Sequence, residues 1–255
     1  FEDSDVSLSD NASQSVALGD VDADGDIDMV VANLSQENLV YLNDGSGDFS
    51  DAGLSLSDRN SFGIALADLD ADGDLDIAVA NQNQGNRIYL NDGLGNFSDS
   101  GQLLSDKDSR SLALGDVDAD GDIDLVVANF GQKNRVYFND GAGNFTDTEQ
   151  ALGSNDSTSI QLGDIDGDND LDIVVANQNQ GNRVYLNDGL GVFEDSDQSL
   201  GTNDSRSIAL GDIDGDGKLD IAVANANQGN RVYFNEGSAE FDDSGQSLGT
   251  NDSRS

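Results

Sequence analysis

Asp20-Val21-Asp22-Ala23-Asp24-Gly25-Asp26-Ile27-Asp28 decides how this chain is read. The pattern Asp-x-Asp-x-Asp-Gly-x-x-Asp returns at Asp68, Asp116, Asp164 and Asp212, five copies spaced 48 residues apart without insertion or deletion. Carboxylates at alternate positions of a short loop, with glycine at the turn, suit a hard cation that takes oxygen ligands. A fixed period means one supersecondary unit copied and stacked. Metal site and architecture are therefore one signal.

Working outward, each loop is flanked by strand-like runs. Before it stands a short alternating run, Ser15-Val16-Ala17-Leu18-Gly19 in the first copy. After it comes an apolar run, Met29-Val30-Val31-Ala32, with equivalents at Ile77, Leu125, Ile173 and Ile221. Such β-branched continuity predicts a strand buried on both faces. A third run, Val40-Tyr41-Leu42, ends in Asn-Asp-Gly (Asn235-Glu236-Gly237 in the last copy), a hairpin signal. A fourth begins at Phe49, Phe97, Phe145, Phe193 and Phe241 and turns polar, as an outer strand wetted on one side would. No segment has a 3.6-residue apolar period.

The expectation is an all-β chain, a β-propeller of four-stranded antiparallel blades with five blades present. The repeats fall at roughly 15–57, 63–105, 111–153, 159–201 and 207–249 within a single array over 1–255. An outer strand is expected at 1–9, because Phe1 matches Phe49 in phase. The last residues, Ser247 to Ser255, copy Ser199 to Ser207, the lead-in to the fifth unit. These ends read as an excerpt of a longer array, against a closed five-bladed ring. The recurring Phe and Tyr are expected in the core between blades.

In the first loop Asp20, Asp22, Asp24 and Asp28 offer side-chain oxygens at positions 1, 3, 5 and 9, and Asp26 offers its backbone carbonyl at position 7. The same set recurs as Asp68, Asp70, Asp72, Asp74 and Asp76, and as Asp116, Asp118, Asp120, Asp122 and Asp124. The fourth loop has Asp164, Asp166, Asp168, Asp170 and Asp172; the fifth has Asp212, Asp214, Asp216, Lys218 and Asp220. With a bidentate carboxylate or a water this reaches the six to eight oxygens of calcium, so about five calcium ions are expected. Magnesium demands stricter geometry, and zinc prefers nitrogen or sulfur. Four carboxylates this close repel, so the loops should splay without a cation. Asn169 replaces the turn glycine and is tolerated, since Asn enters the left-handed region readily. Lys218 supplies only a carbonyl, and its charge should weaken the fifth site. An EF-hand is disfavoured, because Val31 and its equivalents stand where glutamate is needed and the flanks are strands.

These residues resemble a known family. Gly19-Asp20 through Asp28, followed by Val30-Val31-Ala32-Asn33, and Gly85-Asn86-Arg87-Ile88-Tyr89-Leu90-Asn91-Asp92-Gly93, look like the FG-GAP/VCBS repeats of integrin α-subunit-type propellers. The resemblance implies calcium in blade hairpin loops and an extracellular or cell-surface protein serving adhesion, matrix or glycan binding. Such propellers commonly have seven blades. The near-identity of the copies is unlike integrins and suggests recent amplification.

Composition narrows the partners. The net charge is −40, from 51 acidic and 11 basic residues, so the basic footprint that nucleic acid requires is missing. Cysteine and histidine are absent, which removes thiol chemistry and the commonest general base. No apolar stretch approaches a membrane span. Every carboxylate pair recurs in every unit, whereas an active site is a singular departure, so no catalysis is expected. Sequons stand at Asn11, Asn33, Asn96, Asn144, Asn155, Asn203 and Asn251; a chain rich in Asn and Ser produces them by chance. The amide-rich segment Gln82 to Arg87 suits glycan hydroxyls, but hydrogen bonds between units are the first expectation.

The leading reading is a non-enzymatic, calcium-stabilised structural or adhesive module, with other proteins, surface glycans or further copies as partners. The alternatives are a lectin holding sugars between blades at equivalent sites, and the subunit of an extracellular filament.

Overall fold

The computed structural model describes residue 8 and residues 11–56 and 60–249. The first unit comprises β1 to β4 (Ser13–Gly19, Asp28–Asn33, Leu39–Asn43, Phe49–Asp51) and the second β5 to β8 (Ser61–Ala67, Asp76–Asn81, Arg87–Asn91, Phe97–Asp99). The third holds β9 to β12 (Ser109–Gly115, Asp124–Asn129, Arg135–Asn139, Phe145–Asp147) and the fourth β13 to β16 (Ser157–Gly163, Asp172–Asn177, Arg183–Asn187, Phe193–Asp195). β17 to β20 (Ser205–Gly211, Asp220–Asn225, Arg231–Asn235, Phe241–Asp243) complete the array. Each unit is one four-stranded antiparallel sheet with strands in chain order. Among the described residues there is no helix, and so none long and apolar enough to cross a membrane.

The apolar second strands behave as their sequence demands: every residue of β6, β10 and β14 is buried. A lone sheet has two faces to cover, and each core here is shared by two units. One cluster joins Val117, Val126 and Val136 of the third unit to Ile160, Ile173 and Tyr185 of the fourth. The repeating tyrosines Tyr89, Tyr137, Tyr185 and Tyr233 all lie in such shared cores. First strands lean on the preceding sheet: Ile160 is fully buried, whereas Val16, at the same phase in the first unit, is 55% exposed.

The first strands begin two residues earlier than the pattern suggested, and each carries a bulge there. Pairing shifts between Ser13 and Ser15, Ser61 and Gly63, Ser109 and Ser111, Ser157 and Ser159, and Ser205 and Ser207. The extra residue leaves the ladder and its side chain is re-aimed. Gln14, Phe62, Arg110, Thr158 and Arg206 are those residues, and all five line one cavity of about 550 Å³. The first strands of all five sheets thus converge on a common centre.

The outer strand expected at 1–9 lies outside the described residues except for Leu8, whose carbonyl accepts the Tyr41 hydroxyl at 3.2 Å. Residues 250–255, including the Asn251 sequon, also lie outside them. Asn33 is fully buried, with its side chain held by Ser13 and the Glu37 carbonyl, so that sequon is closed to modification in the folded chain.

Five candidate metal centres

Each aspartate loop joins a first strand to a second. In all five the carboxylates at positions 1, 3 and 9 converge, with ligand atoms within 4.8 Å of one another: Asp20, Asp22 and Asp28; Asp68, Asp70 and Asp76; Asp116, Asp118 and Asp124; Asp164, Asp166 and Asp172; Asp212, Asp214 and Asp220. The position-9 carboxylate anchors the group. Asp124, fully buried, accepts the Val117 amide on Oδ2 and the Asn139 amide on Oδ1, both at 2.9 Å. The other four repeat these two bonds. Position 1 closes the turn; Asp20 Oδ2 accepts the Gly25 amide at 3.0 Å.

Position 5 departs from expectation. Asp24, Asp72, Asp120, Asp168 and Asp216 lie outside these groups. In this structure they brace the loop: Asp24 Oδ1 accepts the Asp26 amide at 2.9 Å, an Asx turn. The position-7 residues Asp26, Asp74, Asp122, Asp170 and Lys218 also contribute no side chain to them. Lys218 pairs its ammonium with Asp216 and reaches the Asn235 carbonyl at 3.4 Å, so the fifth loop carries an internal cation at its edge.

Two backbone positions per loop are left-handed. Position 6 was legible: Gly25 has φ 96°, and Asn169 substitutes at 76°. Position 4 was not. Ala23, Ala71 and Ala119 hold φ near 60°, and the last two loops place Gly167 and Gly215 there. The signal was present in the restriction of that position to Ala and Gly.

Electrostatics favour a cation. Burial raises the carboxyls of Asp76, Asp124 and Asp172 to about 6, against the backbone hydrogen bonds that lower them. Burial first, and then the adjacent aspartates, also raise Asp22, Asp70, Asp118 and Asp166. Asp20 Oδ1, Asp70 Oδ1 and Asp116 Oδ1 are buried without a hydrogen-bond partner. An orphaned buried oxygen costs free energy unless something pairs with it. The all-oxygen donor set and these orphans fit a divalent metal ion in each loop.

The loops are also wired together. Asn91 Nδ2 donates to Val21 O of the preceding loop at 2.8 Å and to its own Leu75 O at 3.0 Å. Asn139, Asn187 and Asn235 reach back likewise to Leu69, Val117 and Ile165. Each backbone amide of these asparagines is bonded to its own position-9 carboxylate. A chain of hydrogen bonds therefore runs through all five loops.

The amide-rich segment does bridge units, mostly through its backbone: Asn83 N–H donates to Lys107 O at 2.8 Å and Asn179 N–H to Asn203 O at 2.9 Å, while the Gln82 side chain reaches Asp108 Oδ2 at 3.4 Å. Its arginine stays at home: Arg87 bonds the Gln102 carbonyl and pairs with Asp99 in its own sheet. A bridge that the sequence reading missed comes from Gln102, whose Nε2 donates to Gly143 O while its Oε1 accepts the Phe145 amide. Gln150 repeats it.

An all-β tandem array with one candidate metal loop per unit defines a class of repeat protein. The chain belongs to the FG-GAP-like repeat family, whose model matches residues 20–79, 68–127, 116–175, 164–223 and 212–255. No curated protein matches it. Among solved structures it is similar to the BBS1N chain in a crystal structure with ARL6DN soaked with lead (TM-score 0.60, 15% identity, covering 91% of this chain and 67% of that one). It is also similar to the V. cholerae biofilm matrix protein Bap1 (TM-score 0.58, 22% identity, 91% of this chain). The chain spans 39% of Bap1, and at these identities the likeness is one of fold.

Proposed function

We propose that this chain is a calcium-stabilised, non-enzymatic structural or adhesive module of an extracellular or cell-surface protein, its five sheets set as propeller blades about the shared cavity. The observation that carries the reading is the fivefold recurrence of a carboxylate triad anchored on a buried position-9 aspartate, three of the copies with an orphaned oxygen. Calcium fits better than magnesium because position 5 can swing in and waters can fill a flexible shell. Extracellular modules bind calcium at about 10⁻⁴–10⁻³ M, a range met outside cells, and the similarity to a biofilm matrix protein agrees with that setting. The propeller arrangement is supported by convergence of the first strands and by the propeller-like fold of both matches.

Isothermal titration tests it. Four tight calcium sites per chain are expected and a fifth, at the Lys218 loop, weaker by roughly tenfold. Lys218→Asp should make all five alike. No heat with calcium, or equal affinity for magnesium, would reject the assignment.

The direction of the pH response separates metal-free from loaded protein. Without metal, the carboxyls of Asp76, Asp124 and Asp172 sit at about 6, above the ordinary value of 3.8. That contribution to stability is fully present below the ordinary value and lost as pH rises through about 6. Metal-free protein should therefore melt higher at pH ~5 than at pH ~7.5. In calcium the slope reverses, because protons compete for the ligands. Melting curves at both pH values, with and without calcium, check the crossed pattern.

A further inference from the structure

In an array of near-identical copies, two phases that share one cavity have diverged. The bulge residues are Gln14, Phe62, Arg110, Thr158 and Arg206, while the serine before each is the same in all five units. The second phase supplies Phe130 and Gln178 to the same cavity, where other units have Leu34, Gln82 and Ala226. These positions bring two arginines, two phenylalanines and two glutamines to the one cavity.

The arginines are held in place. Arg110 Nε lies 2.6 Å from Asp108 Oδ1 and its Nη2 donates to Oδ2 at 2.9 Å, leaving the Nη1 amino group for a ligand. Its guanidinium stands 4.1 Å from the Phe62 ring centroid and 5.1 Å from that of Phe130. Arg206 pairs with Asp204 at 2.8 Å. Below this mouth an adjoining cavity of about 240 Å³ is walled by Ser15, Ser111, Ser159 and Ser207 with Gln161. The volumes suit a small-molecule site. Carboxylates already neutralise both arginines, and Asp156 stands at the same phase with threonine in place of a third arginine. With a net charge of −40 around it, an anion gains little here. Fixed guanidinium donors, carboxylate and amide acceptors, four serine hydroxyls and two phenylalanine rings that brace Arg110 match a neutral polyhydroxylated guest.

We propose that the central cavity is a single saccharide site, binding one neutral sugar residue per chain at the bulged ends of the first strands. It lies a strand's length, roughly 20 Å, from the metal loops and does not depend on what those loops hold. A printed panel of neutral and uronic-acid-containing oligosaccharides, probed with the labelled 255-residue chain in calcium, tests it, followed by titration with the best hit. The expected result is binding of neutral saccharides at one per chain, reduced at least tenfold by Arg110→Ala and by Phe62→Ala. Gln14→Ala guards against misfolding: the residue lies outside the ladder and its side chain bonds the adjacent Ala12 and Ser13 carbonyls, so it should weaken binding several-fold with an unchanged melting curve. A blank panel with folded protein overturns the proposal. So does a stoichiometry near five that ignores Arg110→Ala, which would place sugars between units, or salt-sensitive binding of acidic saccharides alone.

Discussion

Excess chelator is expected to remove most of the stability of this protein. At ~2 mM calcium and a dissociation constant of ~10⁻⁴ M, each occupied loop stabilises the fold by about 1.8 kcal/mol. Four such loops and the weaker Lys218 loop then contribute about 8 kcal/mol, against the 5–15 kcal/mol that a typical domain has in total. The loss should exceed the missing binding energy, since emptied loops keep their repelling carboxylates. Thermal melts by circular dichroism, in calcium, in chelator and in chelator with magnesium, check this. A single cooperative transition is expected in calcium, and a low, broad one in the other two. Equal midpoints in all three would remove calcium from the account of stability.

Asp124→Ala should be the most damaging single substitution in a loop. The side chain is fully buried and accepts two backbone amides, from Val117 and Asn139. Hydrogen bonds to a charged group contribute ~1.5–3 kcal/mol each, and both donors would be left buried, so a cost of about 4 kcal/mol is expected before any metal is counted. Asn139 is also the link to the second unit's loop, through Leu69 O. Stability in a repeat array is a sum of unit and nearest-neighbour interface terms, so weakening the middle unit uncouples the two sides. Urea unfolding should change from one transition to two, each with a shallower slope than the original. Asp28→Ala, in a unit with only one such link, should lower the midpoint without splitting the transition.

Much of the architecture was legible because the period is strict. Five copies of each run fixed strand number, strand order and the buried second strand, as Ile173-Val174-Val175-Ala176 shows. What escaped the sequence reading has a common physical cause: it depends on residues that no pattern marks. The bulge residues follow neither alternation nor repeat identity, so the first strands were begun at Ser15 rather than Ser13. The link from Asn91 to Val21 O spans 70 residues and uses a side chain already explained by the hairpin turn. In the loops, spacing nominated Asp24 as a ligand, but spacing does not show that its Oδ1 also closes an Asx turn onto the Asp26 amide. The triads rest on a buried position 9, where the chain passes from loop to core and the carboxylate must satisfy two backbone donors.

All five acidic loops follow the same ends of first strands that share one centre, while the arginine–aspartate pairs stand at the opposite ends. Filling the loops therefore discharges one side of the molecule and leaves the other unchanged. At physiological ionic strength such charges are felt only within about 8 Å. On the proposed calcium reading, the ion's activity would set how closely two such sides can approach, as well as how firmly the chain folds.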